Sequence, residues 1–233
     1  MKRIFLLGII LLNIQAMFAL SDAQRWALAL TEIMTEVNHA SHDTLNFSKL
    51  TKRNKVGYEQ MLIRDWGVHN REELLETITH VEHSGHAQAL KIIQDRINKT
   101  KYFSLFALMN DDELSERYYN YYKFTLANWD IFKDRTIIAW DYGRCISLCR
   151  WGYDCGYLTE QEAWEKIFYY AKLIQPLYSN WEDYGFDYYM GRLFWASGFC
   201  EEFDYARITD TIYKKLTGPT GYWRQLDWAV QLE

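Results

Sequence analysis

At 233 residues, 49% of them apolar, the chain is long enough for one large core and hardly long enough for two. A formal net charge of −5 with no basic run argues against a nucleic-acid partner. The only prolines, Pro176 and Pro219, leave long segments suited to helix, and most of the ten tryptophans, eighteen tyrosines and twelve phenylalanines must be core. A surface platform for sugar or membrane is the sharper use of so many rings.

Residues 1–19 read as a secretory signal. Lys2 and Arg3 open it, Ile4 to Phe18 is uncharged and apolar, and small residues follow at Ala19 and Ser21. That run falls short of the ~20 residues a spanning helix needs. The expectation is an exported, periplasmic or secreted protein with no transmembrane anchor after cleavage, in which residues 20–233 form a single globular all-α domain.

Ser21-Asp22-Ala23-Gln24 has the form of a capping box, and Trp26, Leu30, Ile33, Met34 and Val37 recur at helical spacing, predicting a first helix to about Asn38. His39 and His42 fall in a polar loop and read as solvated. A helix over Lys55–Trp66 should break at Gly67, and Asn70 with Glu73 should cap another through Leu74, Leu75, Ile78 and Val81 to Gly85. His80, His83 and His86 repeat every third residue, which spreads them over about 120° of helix surface and suits zinc poorly. His86 instead reads as a hydrogen-bonding group at a helix end.

A helical pattern runs from Ala87 to Met109, and Asn110 with Glu113 should open a long aromatic helix through Tyr118, Tyr119, Tyr121, Tyr122 and Phe124 lying between two layers. Residues 136–153, TIIAWDYGRCISLCRWGY, are apolar on nearly every side, so this helix belongs at the centre of the fold. Its charges Asp141, Arg144 and Arg150 would leave water wholly or in part. Asp141 and Arg144 lie three apart on one face and can pair, and burying either alone would cost several kcal/mol. A Gly156-Tyr157 turn follows. Thr159 with Glu162 and Ser179 with Glu182 should cap two further helices, then come a helix over Glu201–Leu216 and a short closing segment, Tyr222–Leu232.

Four cysteines, Cys145, Cys149, Cys155 and Cys200, suit an oxidising compartment. Cys145 and Cys149 are helix neighbours at about 5–6 Å between β-carbons, too far for a relaxed disulfide. Cys149–Cys155 and Cys145–Cys200 are the expected cross-links, buried free thiols the alternative. A four-thiolate zinc site lacks the paired CxxC spacing, and no metal or other cofactor is expected.

Four stretches resemble domain-of-unknown-function family 1266, the YbeU/YbeR-like bacterial proteins. They are RWALALTEIMTEVNHASHD at 25–43, IRDWGVHNREELLETITHVEHSGH at 63–86, AWDYGRCISLCRWGYDCGYLTEQEAW at 139–164 and SNWEDYGFDYYMGRLFW at 179–195. The resemblance implies an all-helical fold and carries no residue roles. Positions matching the family's pattern are Trp66, Gly67, His86, Asp141, Arg144, Gly156, Glu162, Trp164, Trp181, Gly191, Arg192 and Trp195. The leader and the cysteine cluster stand apart from it.

Glycine-rich phosphate loops, a nucleophile elbow and metal-ligand spacings are all missing from the sequence. That favours a non-catalytic protein-interaction module of the cell envelope, bound to another protein. The alternative is a hydrolase-like envelope enzyme. Its candidate residues are Asp141, Glu162 and Glu182 as carboxylates, with Arg144, Arg192 or His86 holding an anionic group. Glu162 and Glu182 each have an ordinary capping job as well, and Arg192 needs a counter-charge if buried, for which Asp141 is a candidate.

Overall fold

The computed structural model describes residues 20–47, 51–99, 115–199 and 203–232. The signal at 1–19, the Asn110/Glu113 capping box and Cys200 lie outside them. Among the described residues every regular element is helical. None of these helices is long and apolar enough to cross a membrane.

The first expected helix is two: α1 (Asp22–Ala29), opened by the Ser21–Gln24 capping box, and α2 (Glu32–Val37). The break has a local cause. The Leu28 carbonyl accepts from Thr31, the Ala29 carbonyl accepts the Trp223 indole N–H at 2.9 Å, and the Leu30 carbonyl accepts the Tyr184 hydroxyl at 2.6 Å, so three carbonyls leave the helical ladder. Helix α3 (Lys52–Trp66) is capped by Thr51 and stopped by Gly67 at φ +67°. Helix α4 (Arg71–Ser84), capped by Asn70, buries Leu74, Ile78 and Val81 and meets α5 (His86–Lys99) across Gly85.

The aromatic helix α6 (Glu116–Ala127) starts on a Ser115 cap and buries Tyr121, Tyr122 and Thr125, while Tyr118 is exposed. It therefore has one buried face and does not lie between two layers. After the short α7 (Trp129–Phe132) comes α8 (Ile138–Cys155), in which every residue but Ile138, Tyr142 and Tyr153 is buried. Among the described residues, the helices that pack on it most are α3, α4, α5, α9 (Glu160–Ile174) and α10 (Trp181–Ser197). Its start is supported from α10 and the segment just before it. Tyr178 and Asp187 bring oxygens to the Ala139 N–H, at 3.1 and 3.4 Å, and Tyr178 donates to Asp187 at 2.6 Å.

Thr159 and Glu162 form the expected capping box on α9. On α10 the cap is Asn180 with Asp183 rather than Ser179 with Glu182. Both pairs fit the pattern; Asn180 is the residue in extended conformation whose side chain receives the Asp183 N–H at 2.8 Å. Glu182 pairs with Arg224 at 2.7 Å instead. Helix α11 (Phe203–Thr217) and a 3-10 turn at Tyr222–Gln225 close the chain. There Trp26, Trp181, Trp223 and Trp228 form an indole cluster that ties the C-terminal segment to α1.

Cys145, Cys149 and Cys155 are buried free thiols. The expected Cys149–Cys155 link is not formed: both residues lie on α8, six positions apart, and a rise of about 9 Å exceeds the span of a disulfide. Burial pushes the Cys149 and Cys155 thiols up to about 12.

Candidate functional site

Asp141 lies in the first turn of α8 and is 1% exposed. One oxygen accepts a hydrogen bond from Arg144 Nη2, one turn further on. The other accepts the Ala87 N–H at 2.7 Å, so the carboxylate of one helix caps the N-terminus of another. The close approach depends on Gly85, where a β-carbon would overlap this carboxylate. Arg144 Nη2 also donates to His86 Nδ1 at 2.9 Å, and that nitrogen stands 3.7 Å from Asp141 Oδ1. A guanidinium can only donate, so Nδ1 is the acceptor and the imidazole proton sits on Nε2.

Burial holds His86 below its usual value, and the Arg144 charge acts in the same direction. For Asp141 burial pulls upward. The Arg144 charge and the Ala87 amide outweigh it, leaving the carboxyl below its ordinary range. The cluster is thus an ionised aspartate, a guanidinium and a neutral imidazole.

Outward from it runs a ladder of alternating indoles and guanidiniums. The Arg144 guanidinium carbon lies 5.7 Å from the Trp66 ring centre and 4.8 Å from that of Trp140. The Arg192 carbon lies 5.5 Å from Trp140 and 4.1 Å from Trp195. Trp66 comes from the end of α3, Trp140 and Arg144 from α8, and Arg192 and Trp195 from α10. Gly191 makes room for Trp140, whose β-carbon occupies the space an alanine methyl would take. All five rungs line an open cleft of about 1070 Å³, together with Met34, Arg53, Tyr58, Met61, Arg64 and Trp151. On the other side of Trp66 and Arg144 is a pocket of about 450 Å³ bordered by His80, His86, Glu73 and Glu76.

The sequence candidates therefore divide. Asp141, Arg144 and His86 meet, and Arg144 and Arg192 share a cleft wall. Glu162 borders neither cavity: it closes its capping box and takes two bonds from Arg71, at 2.6 and 3.1 Å, which with the Thr159 groups draw its carboxyl down to about 2. Asp141 gives its contacts to Arg144, His86 and Ala87, while Arg192 stacks on indoles.

Two polar groups have partners that carried little or no sequence signal. Arg150 is wholly buried, and its guanidinium donates to Thr31 and Thr35 hydroxyls and to the carbonyls of Ser41, Thr44, Leu45 and Asn46, at 2.8 to 3.4 Å. It stacks 4.0 Å from the Phe47 ring centre, and burial lowers it to about 10. His42 is not simply solvated: it bonds the buried Glu32. That hydrogen bond raises its value, and burial raises that of Glu32.

Together these features define an all-helical domain built round a buried Asp–Arg–His cluster with an arginine–tryptophan cleft at its flank. The chain belongs to the DUF1266 family of proteins of unknown function, whose sequence profile matches residues 61–228. It is similar to the uncharacterised protein YbeU of Escherichia coli (strain K12), 32% identical over 154 residues, 66% of this chain and 64% of YbeU. It is also similar to the uncharacterised protein YbeR of the same strain, 30% identical over 140 residues, 58% of this chain and 57% of YbeR. The match thus spans less than two thirds of either relative's length. No solved structure matches the chain.

The positions that carried the family resemblance now sort by place. Trp66, His86, Asp141, Arg144, Gly191, Arg192 and Trp195 gather at the cluster and ladder. Gly67, Gly156, Glu162, Trp164 and Trp181 serve helix ends and core.

Proposed function

We propose that this chain is an exported, non-catalytic interaction module of the cell envelope, and that the cleft beside α3, α8 and α10 is its binding face. The observation that carries this is the state of Asp141. Acid–base work needs a carboxylate that reaches substrate and titrates near the working pH. Asp141 is buried, both of its oxygens are bonded, and its value is lowered. Glu162 is likewise occupied at a helix start. What faces the opening is a rigid aromatic and cationic surface, the composition typical of binding hot spots.

Crosslinking in intact cells, with denaturing purification and mass spectrometry, is expected to recover one envelope protein joined to residues of α3 or α10. The N-terminus of the recovered chain should be at Leu20 or Asp22. Recovery of this chain alone, or an N-terminus at Met1 in the cytoplasmic fraction, would refute the assignment.

A further inference from the structure

We infer that residues 39–47 are a proton-operated strap: a proton held between His42 and Glu32 closes it, and the closed strap braces the cleft wall on which the protein partner docks. The regulatory half of this rests on the assignment of the cleft as a binding face.

The strap leaves α2 at Asn38 and turns back on itself, the Ser41 N–H donating to the Phe47 carbonyl at 2.7 Å. Helix α8 holds its far half. Arg150 gathers the Ser41, Thr44, Leu45 and Asn46 carbonyls, and Asp154 accepts from Asn46 Nδ2 at 2.6 Å and from the Phe47 N–H at 3.0 Å. Phe47, wholly buried, carries this order to the cleft. Its ring centre lies 5.2 Å from that of Trp151 and 6.4 Å from that of Tyr58, and both of these side chains line the opening. Met34 and Asn38, where α2 gives way to the strap, line it too.

The near half depends on one side chain. His42 Nδ1 meets Glu32 Oε2. Glu32 is fully buried, and its other oxygen has no hydrogen-bond partner among the described residues. A carboxylate so placed is costly unless a positive charge stands against it, and His42 is the group in contact. The surroundings of His42 favour its cation. Glu36 of α2 stands 3.7 Å from Nε2, Asp43 follows in the chain, and Tyr222, stacked at 5.1 Å, is kept uncharged by burial. The cations nearby have partners of their own: Lys215 of α11 bonds Glu36 at 2.6 Å, Arg25 of α1 bonds Asp22 at 2.6 Å, and Arg150 bonds the strap carbonyls while acting on Glu32 from the α8 side.

Both titrating groups push the same way. The Glu32 hydrogen bond raises His42 above its unfolded 6.5, and burial raises Glu32 above its unfolded 4.5, so the closed strap binds protons more tightly than the free chain. The His42 contribution is fully present below pH 6.5 and is lost as the pH climbs through the raised value. His86, lowered by burial, has the opposite sign, so the two are separable.

The test is amide hydrogen exchange of the purified protein, read by mass spectrometry at about pH 6 and about pH 8 and corrected for the intrinsic rate. Protection of residues 39–47 is expected to fall about three- to ten-fold at the higher pH. In His42→Gln, which carries no charge at either pH, it should stay level, while His39→Asn on the same strap should behave as wild type. Nuclear magnetic resonance titration of the His42 ring should give a value above 6.5 that drops in Glu32→Gln, with circular dichroism reporting that each variant folds. Protection that is level with pH in wild type, or that falls equally in His42→Gln, would overturn the strap.

The regulatory half is read by crosslinking in permeabilised cells buffered at the same two pH values. The yield of partner joined to α3 should fall a few-fold at the higher pH in wild type and stay level in His42→Gln. An equal yield in wild type at both would overturn the regulation. Recovery of no partner would remove the binding face and the regulation with it, and leave the strap itself, which hydrogen exchange reads without a partner.

Discussion

Asp141 stays ionised inside the protein because the Arg144 guanidinium and the Ala87 N–H converge on it, and its removal has a predictable cost. Asp141→Ala should leave Arg144 buried without its counter-charge and destabilise the fold by about 3–5 kcal/mol in denaturant unfolding. The double replacement Asp141→Leu with Arg144→Met should recover most of that loss, because an apolar pair of similar volume needs no compensation. A double variant as unstable as the single would show that the pair is more than a brace. Acid should act through the same cluster. His86 sits below its unfolded value of 6.5, so as pH falls through 6.5 the unfolded chain takes up a proton that the folded one refuses. The unfolding midpoint is therefore expected to drop as the pH falls below 6.5, less so in His86→Gln. Asp141, lowered in the folded state, adds a further loss at still lower pH, as it is protonated below the ordinary carboxyl range. Identical slopes for wild type and His86→Gln would remove His86 from this account. At this scale the Asp141–Arg144 pair was legible, since a three-residue spacing on one helix dictates contact. The arrival of His86 was not, because it comes from a different helix. The acceptors of Arg150 are mostly loop carbonyls, which every residue type supplies alike.

Helix α8 was the most legible element. A segment apolar on all sides can be stable only when surrounded, and α3, α4, α5, α9 and α10 surround it. Its observed bounds, 138–155, are shifted two residues toward the C-terminus of the expected 136–153, since the start depends on Tyr178 and Asp187 from elsewhere in the chain and the end on Gly156 at φ +75°. Capping boxes at Ser21 and Thr159 were readable because both partners lie within four residues. The split between α1 and α2 was not, because the groups that draw away those carbonyls come from Tyr184 and Trp223. Helix α10 meets α8 at Gly191, where Trp140 leaves no room for a methyl group. Gly191→Ala should cost about 1–3 kcal/mol by overpacking and displace Trp140 from the ladder. Equal stability and an unshifted tryptophan emission spectrum in that variant would contradict the packing described for this crossing.

Across the whole molecule, aromatic side chains supply much of the core, and the three described cysteines pack among them as small apolar groups. In a Cys200→Ser chain, a thiol reagent is expected to modify none of Cys145, Cys149 and Cys155 under native conditions and all three after denaturation. Resistance to labelling in denaturant without reductant would reveal a cross-link that the structure does not contain. Such burial would let free thiols coexist with the proposed export, because the reactive thiolate is suppressed and access is blocked. Amino-acid order by itself determined the helical class, the buried centre, most helix caps and the pairing of Asp141 with Arg144, since each depends on periodicity or on partners a few residues apart. Only the tertiary structure decided that three indoles and two guanidiniums from three helices form one wall beside that pair. Their alignment depends on how α3, α8 and α10 pack, and packing angles are set by side chains distant in sequence.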